Sequence, residues 1–512
     1  MENKKWKSVE EVHNHAKKAV NKKIKDLTTQ ETVEKYYANT KNKGWIGNAI
    51  ESDWFDVPNN SRKEADIPYL GLEIKVTPIK STKKGWSAKE RLVLNIFDFK
   101  DEYKREFKNA SFIEKTDLTE LLYYEYIKDI ASPELKIKAA TLFDFNKLPK
   151  EDLLIIEQDW NIIIDKIKEG KAEELSDSLT KYLGATTKGG KSEKNLTAQP
   201  FSDKKAHRRA FTLKSAYMTE LARKKMAATK NEKLIKDTNL LKEYTLEDIV
   251  LNQFAQYVNL SKQELGEMFD ITIPKKNDKA STKKIAKKML NIKSDIENTD
   301  EFKKAGIAVK NIVVTSNSTT CKEGFKIIVP GESTIEPEEI INDTWEESSL
   351  REYLSSYKFL LVIFEDTGKD LIFRGAKFWS VPIEDLDGDI KETWLKTQSI
   401  LSEGVSLEYE RREKPTPKGK LYQVSNNLPG ISSGKILHVR PSAVLSSYYK
   451  NSNAMRLPVK SNWKNKPKET DWVAGTKPGK MPQNELTDYY MTKQMWWLNP
   501  KYMYKQISEF FR

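Results

Sequence analysis

The sequence predicts an α/β protein made of two tandem copies of one fold. The chain has 512 residues, more than one ordinary hydrophobic core accommodates. Helix-like and strand-like patterns of apolar residues alternate along it, and short segments of the first half recur in the same order in the second half. We expect the first domain to span residues 1–235 and the second domain to span residues 240–512.

The composition narrows the class of protein. A single cysteine, Cys321, excludes a disulfide framework and a multi-cysteine zinc site, and predicts a reducing, cytoplasmic location. No apolar run is long enough to cross a membrane, so we expect no membrane partner. Lys and Arg number 88 against 75 Asp and Glu, and the net charge of +13 favours a polyanionic partner such as double-stranded DNA. A generally lysine-rich proteome would give the same balance.

The local patterns place the main elements. Residues 1–60 have apolar positions at helical spacing, and strand-like runs follow at 70–79 and 91–97. A second helical stretch covers about 148–183 and gives way to a long basic loop, GATTKGGKSEKNLTAQPFSDKK, which we expect to contact an extended partner or to be a flexible connector. His13 and His15 could share a metal ion on an exposed strand.

The strand GLEIKVTPI carries charged residues on one face. Because side chains alternate along a strand, Leu72, Ile74 and Val76 point one way while Glu73 and Lys75 point the other. Asp66 lies just upstream, across a proline and a glycine. These groups can hold a hard cation. Alternatively, they form a solvated face with an ion pair that contributes little stability.

The internal repeat aligns this strand with a second one that lacks the carboxylate. Gly71 aligns with Gly306 and Lys75 with Lys310, but Glu73 aligns with Ala308, and Ser356 aligns with Lys89. The matching segments are YLGLEIKV with KAGIAVKN, QDWNIIIDKIKEG with ETWLKTQSILSEG, FTLKSAYM with WWLNPKYM, and RLVLNIF with KFLLVIF. We therefore expect the second copy to be without catalytic activity.

Four motifs together resemble one family. They are KGWIG followed by a glutamate, the D-x6-E-x-K strand, a lysine before an apolar strand, and the FTLK segment. With them the chain resembles the MutH family, the GATC-specific nickases of mismatch repair. It is still more similar to the longer GATC-specific type II restriction endonucleases. The resemblance implies two MutH-like, restriction-endonuclease-like domains, each a mixed β-sheet core flanked by helices, which form a pseudo-dimer.

The resemblance also implies a catalytic set and a Mg²⁺ cofactor. Asp66 and Glu73 would bind the metal directly, Glu51 would bind a second metal or its waters, and Lys75 would orient the attacking water. Lys89 would support the phosphate or the leaving oxygen.

Residues for DNA binding are implied in the same way. The family's recognition loop matches YLGATTKGGK, so Thr187 and Lys188 are candidates for contacts with base edges. The tyrosine of the family's FYLK segment is Thr212 here. Other expected contacts, chiefly with phosphates, are Lys43, Arg208, Arg209 and Lys214, with Arg440 at a similar position in the second half.

Three functions stay open at this point: a restriction endonuclease that cuts at GATC, a MutH-like repair nickase, and a non-catalytic DNA-binding protein. The intact first-half set argues against the third, and the additional half argues against the second. The first function implies a cognate DNA methyltransferase in the same system and leaves open self-association on DNA.

Overall fold

The computed structural model describes residues 5–40, 42, 44–58, 64–82, 85–189, 195–274, 279–332, 334–411, 414, 422–443, 446–466 and 487–511. One compact unit is Met1–Gln253 with Leu290–Ala308, and the other is Phe254–Met289 with Val309–Arg512. The first unit therefore takes in a segment from beyond residue 240, and the domain limits 1–235 and 240–512 stay a prediction. Among the described residues no helix is long and apolar enough to span a bilayer.

The first unit contains two main sheets. Its helices, up to one that ends at the unit boundary, are α1 (Val9–Lys17), α2 (Gln30–Ala38), α3 (Trp45–Ala49), α4 (Phe99–Glu102), α5 (Ser111–Thr116), α6 (Lys150–Lys168), α7 (Ser215–Ala227) and α8 (Leu246–Ala255). Its strands are β1 (Leu72–Thr82), β2 (Gly85–Ala88), β3 (Leu92–Phe97), β4 (Leu118–Glu125), β5 (Lys136–Asp144), β6 (Leu183–Thr187), β7 (Leu196–Gln199), β8 (Ser202–His207) and β9 (Arg209–Leu213). The sheets have the orders β2-β1-β4-β5, β3-β9-β6 and β7-β8.

The remaining helices and strands also form mixed sheets flanked by helices. The helices are α9 (Lys262–Met268), α10 (Lys279–Met289), α11 (Asp300–Ala305), α12 (Pro337–Asn342), α13 (Ser349–Ser356), α14 (Ile383–Asp385), α15 (Lys391–Glu403) and α16 (Pro500–Lys505). The strands are β10 (Ile307–Thr315), β11 (Phe325–Lys326), β12 (Lys358–Asp366), β13 (Leu371–Trp379), β14 (Ser406–Arg411), β15 (Tyr422–Asn426), β16 (Leu437–Pro441), β17 (Ala454–Arg456), β18 (Asn462–Lys464), β19 (Tyr490–Thr492) and β20 (Gln494–Leu498). The sheets have the orders β10-β12-β13, β11-β20-β16, β15-β14-β18 and β17-β19.

The two sets of sheets correspond strand by strand. The order β1-β4-β5 matches β10-β12-β13, and β3-β9-β6 matches β11-β20-β16. Both β1 and β10 begin after a glycine in the left-handed conformation, Gly71 with φ 60° and Gly306 with φ 63°. Such backbone favours glycine over residues with a Cβ. These features confirm the prediction of a tandem α/β fold with mixed sheets, while the pseudo-dimer stays a prediction.

A repeated side-chain contact supports the same correspondence. The hydroxyl of Tyr217 donates to Asp152 over 3.1 Å, and the hydroxyl of Tyr502 donates to Asp385 over 2.7 Å. In each unit the aspartate precedes a buried tryptophan, Trp160 or Trp394. The spacing is eight residues in the first case and nine in the second. A π-helical turn just after Asp385 accommodates the additional residue.

One predicted match in the repeat is wrong. RLVLNIF forms β3, whereas KFLLVIF forms β12, and these strands occupy different sheets. The counterpart of β12 is β4, so Ser356 corresponds to Thr116 and not to Lys89. Apolar strands of similar length are interchangeable in a sequence comparison, and only the hydrogen-bonding partners distinguish them.

Three local predictions also need correction. The helix predicted over 148–183 ends at Lys168, because Gly170 turns left-handed with φ 69°. The predicted loop, residues 184–205, contains most of β6, all of β7 and most of β8. His13 and His15 lie on helix α1 and not on a strand, and they bind different partners.

The apolar face of β1 packs as predicted. Leu72 and Ile74 are fully buried in a cluster with residues of the N-terminal helices, and Val76 packs against that cluster. Full burial of one such side chain contributes about 1.5–3 kcal/mol. The packing fixes β1 firmly, and its charged face is therefore held in one orientation.

Candidate active site

A tight turn brings Asp66 beside Glu73. Residues Pro68–Leu70 form a single 3-10 turn, and Gly71 reverses the chain. Ile67 and Leu72 then pair, since Ile67 N donates to Leu72 O over 2.9 Å and Leu72 N donates back over 3.3 Å. The residues on either side of this pair are Asp66 and Glu73, which explains the spacing of the motif.

The two carboxylates are interlocked by hydrogen bonds. Ile74 N donates to Asp66 Oδ2 over 2.9 Å, and Asp66 N donates to Glu73 Oε2 over 3.2 Å. Lys75 Nζ donates to Glu73 Oε1 over 2.6 Å. The side chain of Glu73 is only 1% exposed. Burial raises the pKa of Glu73, the Lys75 ammonium opposes that shift, and the charge of Asp66 adds to it.

A second lysine reaches Glu73 from the helix that precedes the neighbouring strand. Lys115 lies on α5, just before β4, and its Nζ is 3.7 Å from Glu73 Oε1. Strand β4 runs parallel to β1 with Thr119 opposite Glu73. Lys115 was not predicted from the sequence, although its position before the apolar run LTELLYY fits the motif of a lysine before an apolar strand.

Lys89 makes different contacts. Its Nζ donates to Glu90 Oε1 over 3.0 Å and lies 4.6 Å from the centre of the Tyr126 ring. It precedes β3, which belongs to the other main sheet. Because Lys115 contacts Glu73 and Lys89 does not, Lys115 is the better candidate for the family's second active-site lysine, and the role assigned to Lys89 stays a prediction.

Glu51 lies on a π-helical turn, Ile50–Trp54, that continues from α3. Burial raises its pKa to about 7, and the charges of Asp66 and Glu73 add to the effect while Lys75 opposes it. Glu51 thus shares the electrostatic environment of the interlocked pair.

The donor set suits a hard cation that also binds substrate. Within the described part of the chain, no three His, Cys, Asp or Glu side chains form a complete metal cage. Mg²⁺ commonly binds one or two protein carboxylates together with substrate phosphate oxygens. Asp66 and Glu73 fit that pattern. Burial is the main cause of the raised pKa values of Glu51 and Glu73, and the neighbouring carboxylate charges add to it; a bound cation would favour the charged form of both groups.

The candidate recognition residues lie at the end of β6. Thr187 is exposed there, and Lys188 is half-buried, with its backbone N–H donating to Arg208 O over 2.8 Å. Burial lowers the pKa of Lys188, and the charges of Arg91 and Lys75 lower it further. Lys188 therefore lies within the electrostatic field of Lys75.

Three residues expected to touch DNA are buried instead. Lys214 Nζ donates to the carbonyls of Asp177 and Thr180, and Arg209 donates to the carbonyl of Ala185 over 3.1 Å. The third residue, Thr212, shares a 3.0 Å hydrogen bond with Thr186.

These contacts anchor β6 and the segment before it, and the burial of Lys214 and Arg209 corrects the expectation that they contact phosphates. Arg208 is exposed, as a phosphate contact would need to be. Lys43 lies outside the described residues.

The second half has a basic and aromatic cluster at the corresponding position. The Arg440 guanidinium stacks 4.7 Å from the centre of the Trp497 ring. Lys326 Nζ lies 6.0 Å from that ring and donates to Ser442 Oγ over 2.7 Å. Leu437 and Leu183 have equivalent partners in their sheets, so Arg440 corresponds to Thr186, one position before Thr187.

Known proteins match the chain in two ways. The family model for the DNA mismatch repair enzyme MutH matches residues 55–159. The type II restriction enzyme Sau3AI of Staphylococcus aureus is 37% identical over 513 residues, which cover 97% of this chain and 98% of that enzyme. The DNA mismatch repair proteins MutH of Shewanella sp. (strain MR-7) and Shewanella oneidensis are each 26% identical over 36% of this chain and 80% of their own lengths. The match over nearly the whole chain is therefore to a restriction enzyme.

Proposed function

The chain belongs to the family of type II restriction enzymes represented by Sau3AI, and we propose that it hydrolyses duplex DNA at GATC with Mg²⁺ as its cofactor. DNA is the substrate of this kind of enzyme, and a divalent metal ion is its usual cofactor. The observation that carries the proposal is the turn that interlocks Asp66 with Glu73 and sets Lys75 and Lys115 against them. The match over nearly the whole chain favours restriction over repair nicking.

Residues of the first unit would have different roles in phosphodiester hydrolysis. Asp66 and Glu73 would hold the Mg²⁺ ion, and Glu51 would hold its waters or a second ion. When bound, the ion lowers the pKa of a water and stabilises charge on the phosphate. Lys75 would release Glu73 and orient the attacking water, and Lys115 would stabilise charge on the scissile phosphate.

We assign recognition of the DNA sequence to the residues at the end of β6. Lys188 can donate to guanine O6 and N7, and exposed Thr187 can donate to or accept from a base edge. The buried groups of Lys214, Arg209 and Thr212 hold this strand in register. Arg208 is assigned to a phosphate.

The second half is proposed to bind DNA without cutting it. Ala308 offers no metal ligand, while Arg440, Lys326 and the Trp497 ring offer cationic and aromatic surface for a nucleic acid strand. Self-association on DNA, a cognate DNA methyltransferase and a cytoplasmic location remain part of this proposal.

Plasmid digestion tests the function directly. With Mg²⁺ we expect linear fragments whose ends map to GATC. Glu73→Gln should bind the plasmid and leave it supercoiled. Nicked circles that never become linear would favour the MutH-like nickase. An intact plasmid in the presence of the wild-type protein would favour the non-catalytic DNA-binding protein.

A further inference from the structure

The N-terminal segment contacts both chain segments that carry the catalytic carboxylates. The indole N–H of Trp6 donates to Phe55 O over 3.1 Å, just after the π-helical turn that holds Glu51. The backbone N–H of the same residue donates to the hydroxyl of Tyr69 over 3.2 Å, within the turn from Asp66 to Glu73. Trp6 is 7% exposed and its indole hydrogen bond is buried, whereas Tyr69 is 42% exposed and its hydrogen bond is only partly shielded from solvent.

A histidine on α1 completes this arrangement. His15 Nε2 lies 3.0 Å from Trp54 O, and its ring stacks on the Trp54 ring with 4.4 Å between centroids. The Trp6 ring lies 5.0 Å from the His15 ring. Because a carbonyl can only accept, Nε2 must carry a proton, which fixes the tautomer of neutral His15. Burial lowers the pKa of His15, consistent with a neutral ring.

The π-helical turn needs such partners. Its bonds run from residue i+5 to residue i, as in Phe55 N to Ile50 O over 3.1 Å. The carbonyls at its end have no following helical turn whose backbone N–H groups could donate to them. A buried carbonyl without a hydrogen-bond donor is destabilising by about 1–3 kcal/mol. The ring N–H groups of His15 and Trp6 supply partners to the last two of these carbonyls, those of Trp54 and Phe55.

We propose that Trp6 and His15 are positioning residues of the active site, which cap the π-helical turn and so hold the carboxylate of Glu51 beside Asp66 and Glu73. The proposal rests on the function proposed above for Glu51. π-Helical turns are rare and are frequent at functional sites, where they redirect a side chain. Without its caps the turn would relax toward an ordinary α-helix, and Glu51 would rotate away from the pair.

The test compares variants that lose one ring N–H but keep an aromatic ring. Trp6→Phe and His15→Phe remove the two caps, and His15→Gln restores a donor at a similar reach. Trp45→Phe is the matched control. Its indole N–H also donates to a carbonyl over 3.1 Å, that of Thr32, and Trp45 is 6% exposed, but it does not cap the π-helical turn.

Three measurements are made on each full-length variant: the single-turnover cleavage rate of a short GATC duplex with saturating Mg²⁺, the affinity for that duplex with Ca²⁺, and hydrogen exchange of residues 50–57. We expect Trp6→Phe and His15→Phe to cleave roughly tenfold to a hundredfold more slowly, with faster exchange in 50–57 and unchanged affinity. His15→Gln should recover most of the rate, and Trp45→Phe should cleave like wild type.

Either of two comparisons among the variants would overturn the proposal, as would wild-type cleavage by Trp6→Phe. One is a Trp45→Phe rate as low as that of Trp6→Phe at equal loss of thermal stability. The other is no recovery in His15→Gln relative to His15→Phe. Glu51→Gln separates the two levels of the argument. If Glu51→Gln cleaves like wild type, the assigned role of Glu51 fails; if it is slow while Trp6→Phe is not, only the positioning role fails.

Discussion

The two halves of the molecule use one backbone for different chemistry. In the first half, Glu73 follows the left-handed Gly71 by two residues, and Lys75 donates to it. In the second half, Ala308 stands in the place of Glu73, and Lys310 donates to the backbone carbonyl of Lys326 over 3.0 Å. The glycine and the apolar positions are alike in the two strands, whereas the carboxylate that we propose as a metal ligand is absent from the second.

The second main sheet differs in a similar way. In the first half, Arg91 binds Asp177 and also Thr186 of β6. The Asp177 carboxylate neutralises the charge of Arg91. In the second half, the arginine is Arg440, on a different strand of that sheet, and it stacks on the Trp497 ring. A guanidinium on an indole keeps its charge available for an anion. The two halves therefore differ in these polar residues while the strand orders of their sheets are alike.

Removal of either metal ligand should have the largest effect. We expect Glu73→Ala or Asp66→Ala to lower single-turnover cleavage by more than about a thousandfold, because each removes a ligand of the ion that activates the water. DNA affinity with Ca²⁺ should persist. The matched control is Ala308→Gln at the counterpart position, which should leave the rate unchanged. Equal loss in the control would mean that the halves do not differ in catalytic role.

The second-largest effect should separate the two candidate lysines. Lys115→Ala should slow cleavage by about a hundredfold, since it removes a positive charge 3.7 Å from Glu73. Lys89→Ala should change the rate by less than about threefold, because its partners are Glu90 and the Tyr126 ring. The reverse ranking, measured under single-turnover conditions, would restore the assignment made from the sequence.

The sequence predicted the parts of the site that depend on local geometry. Strand alternation placed Glu73 and Lys75 on one face of β1, and the proline and glycine between Asp66 and Glu73 marked the turn that joins them. It missed Lys115 because that residue reaches Glu73 through the parallel pairing of β4 with β1, which no local pattern specifies. The sequence also gave no indication that Lys214 is buried, because a lysine that donates to carbonyls looks the same in sequence as an exposed one.

The recognition residues should show a smaller and more selective effect. Lys188→Ala should weaken binding to a GATC duplex by about 1–3 kcal/mol and narrow the preference over a scrambled duplex, as for a contact with base edges. Arg440→Ala in the second half should weaken binding to both duplexes alike and reduce its salt dependence by about one unit. Titrations at several salt concentrations distinguish these patterns. An equal loss on both duplexes for Lys188→Ala would make it a phosphate contact.

The metal requirement should depend on pH through Glu51. Its pKa of about 7 means that it is largely protonated below that pH and charged above it. If Glu51 binds the metal or its waters, the Mg²⁺ concentration for half-maximal cleavage should rise by up to about tenfold per unit as pH falls below 7. Calorimetric titration with Mn²⁺ should follow the same trend in the wild type and lose it in Glu51→Gln. A requirement independent of pH would exclude Glu51 from metal binding.

The last prediction concerns a buried acid that only the first half has, and it should affect stability rather than cleavage. Glu120 on β4 is fully buried and lies 2.9 Å from His13 Nδ1, whereas the corresponding residue of β12 is buried Leu360. Burial raises the pKa of Glu120 from 4.5 to about 8. The folded state therefore holds the Glu120 proton more tightly than the unfolded state. The contribution of this proton to the free energy of unfolding is fully present below pH 4.5 and is lost as pH rises through about 8. Glu120→Leu, which copies the second half, should remove a pH-dependent part of the free energy of unfolding of the order of 5 kcal/mol while leaving cleavage unchanged. Denaturant unfolding of both proteins across this pH range measures the difference. A wild-type stability that instead rises as pH passes upward through about 4.5 and stays high at pH 8, without a similar change in Glu120→Leu, would indicate a charged Glu120.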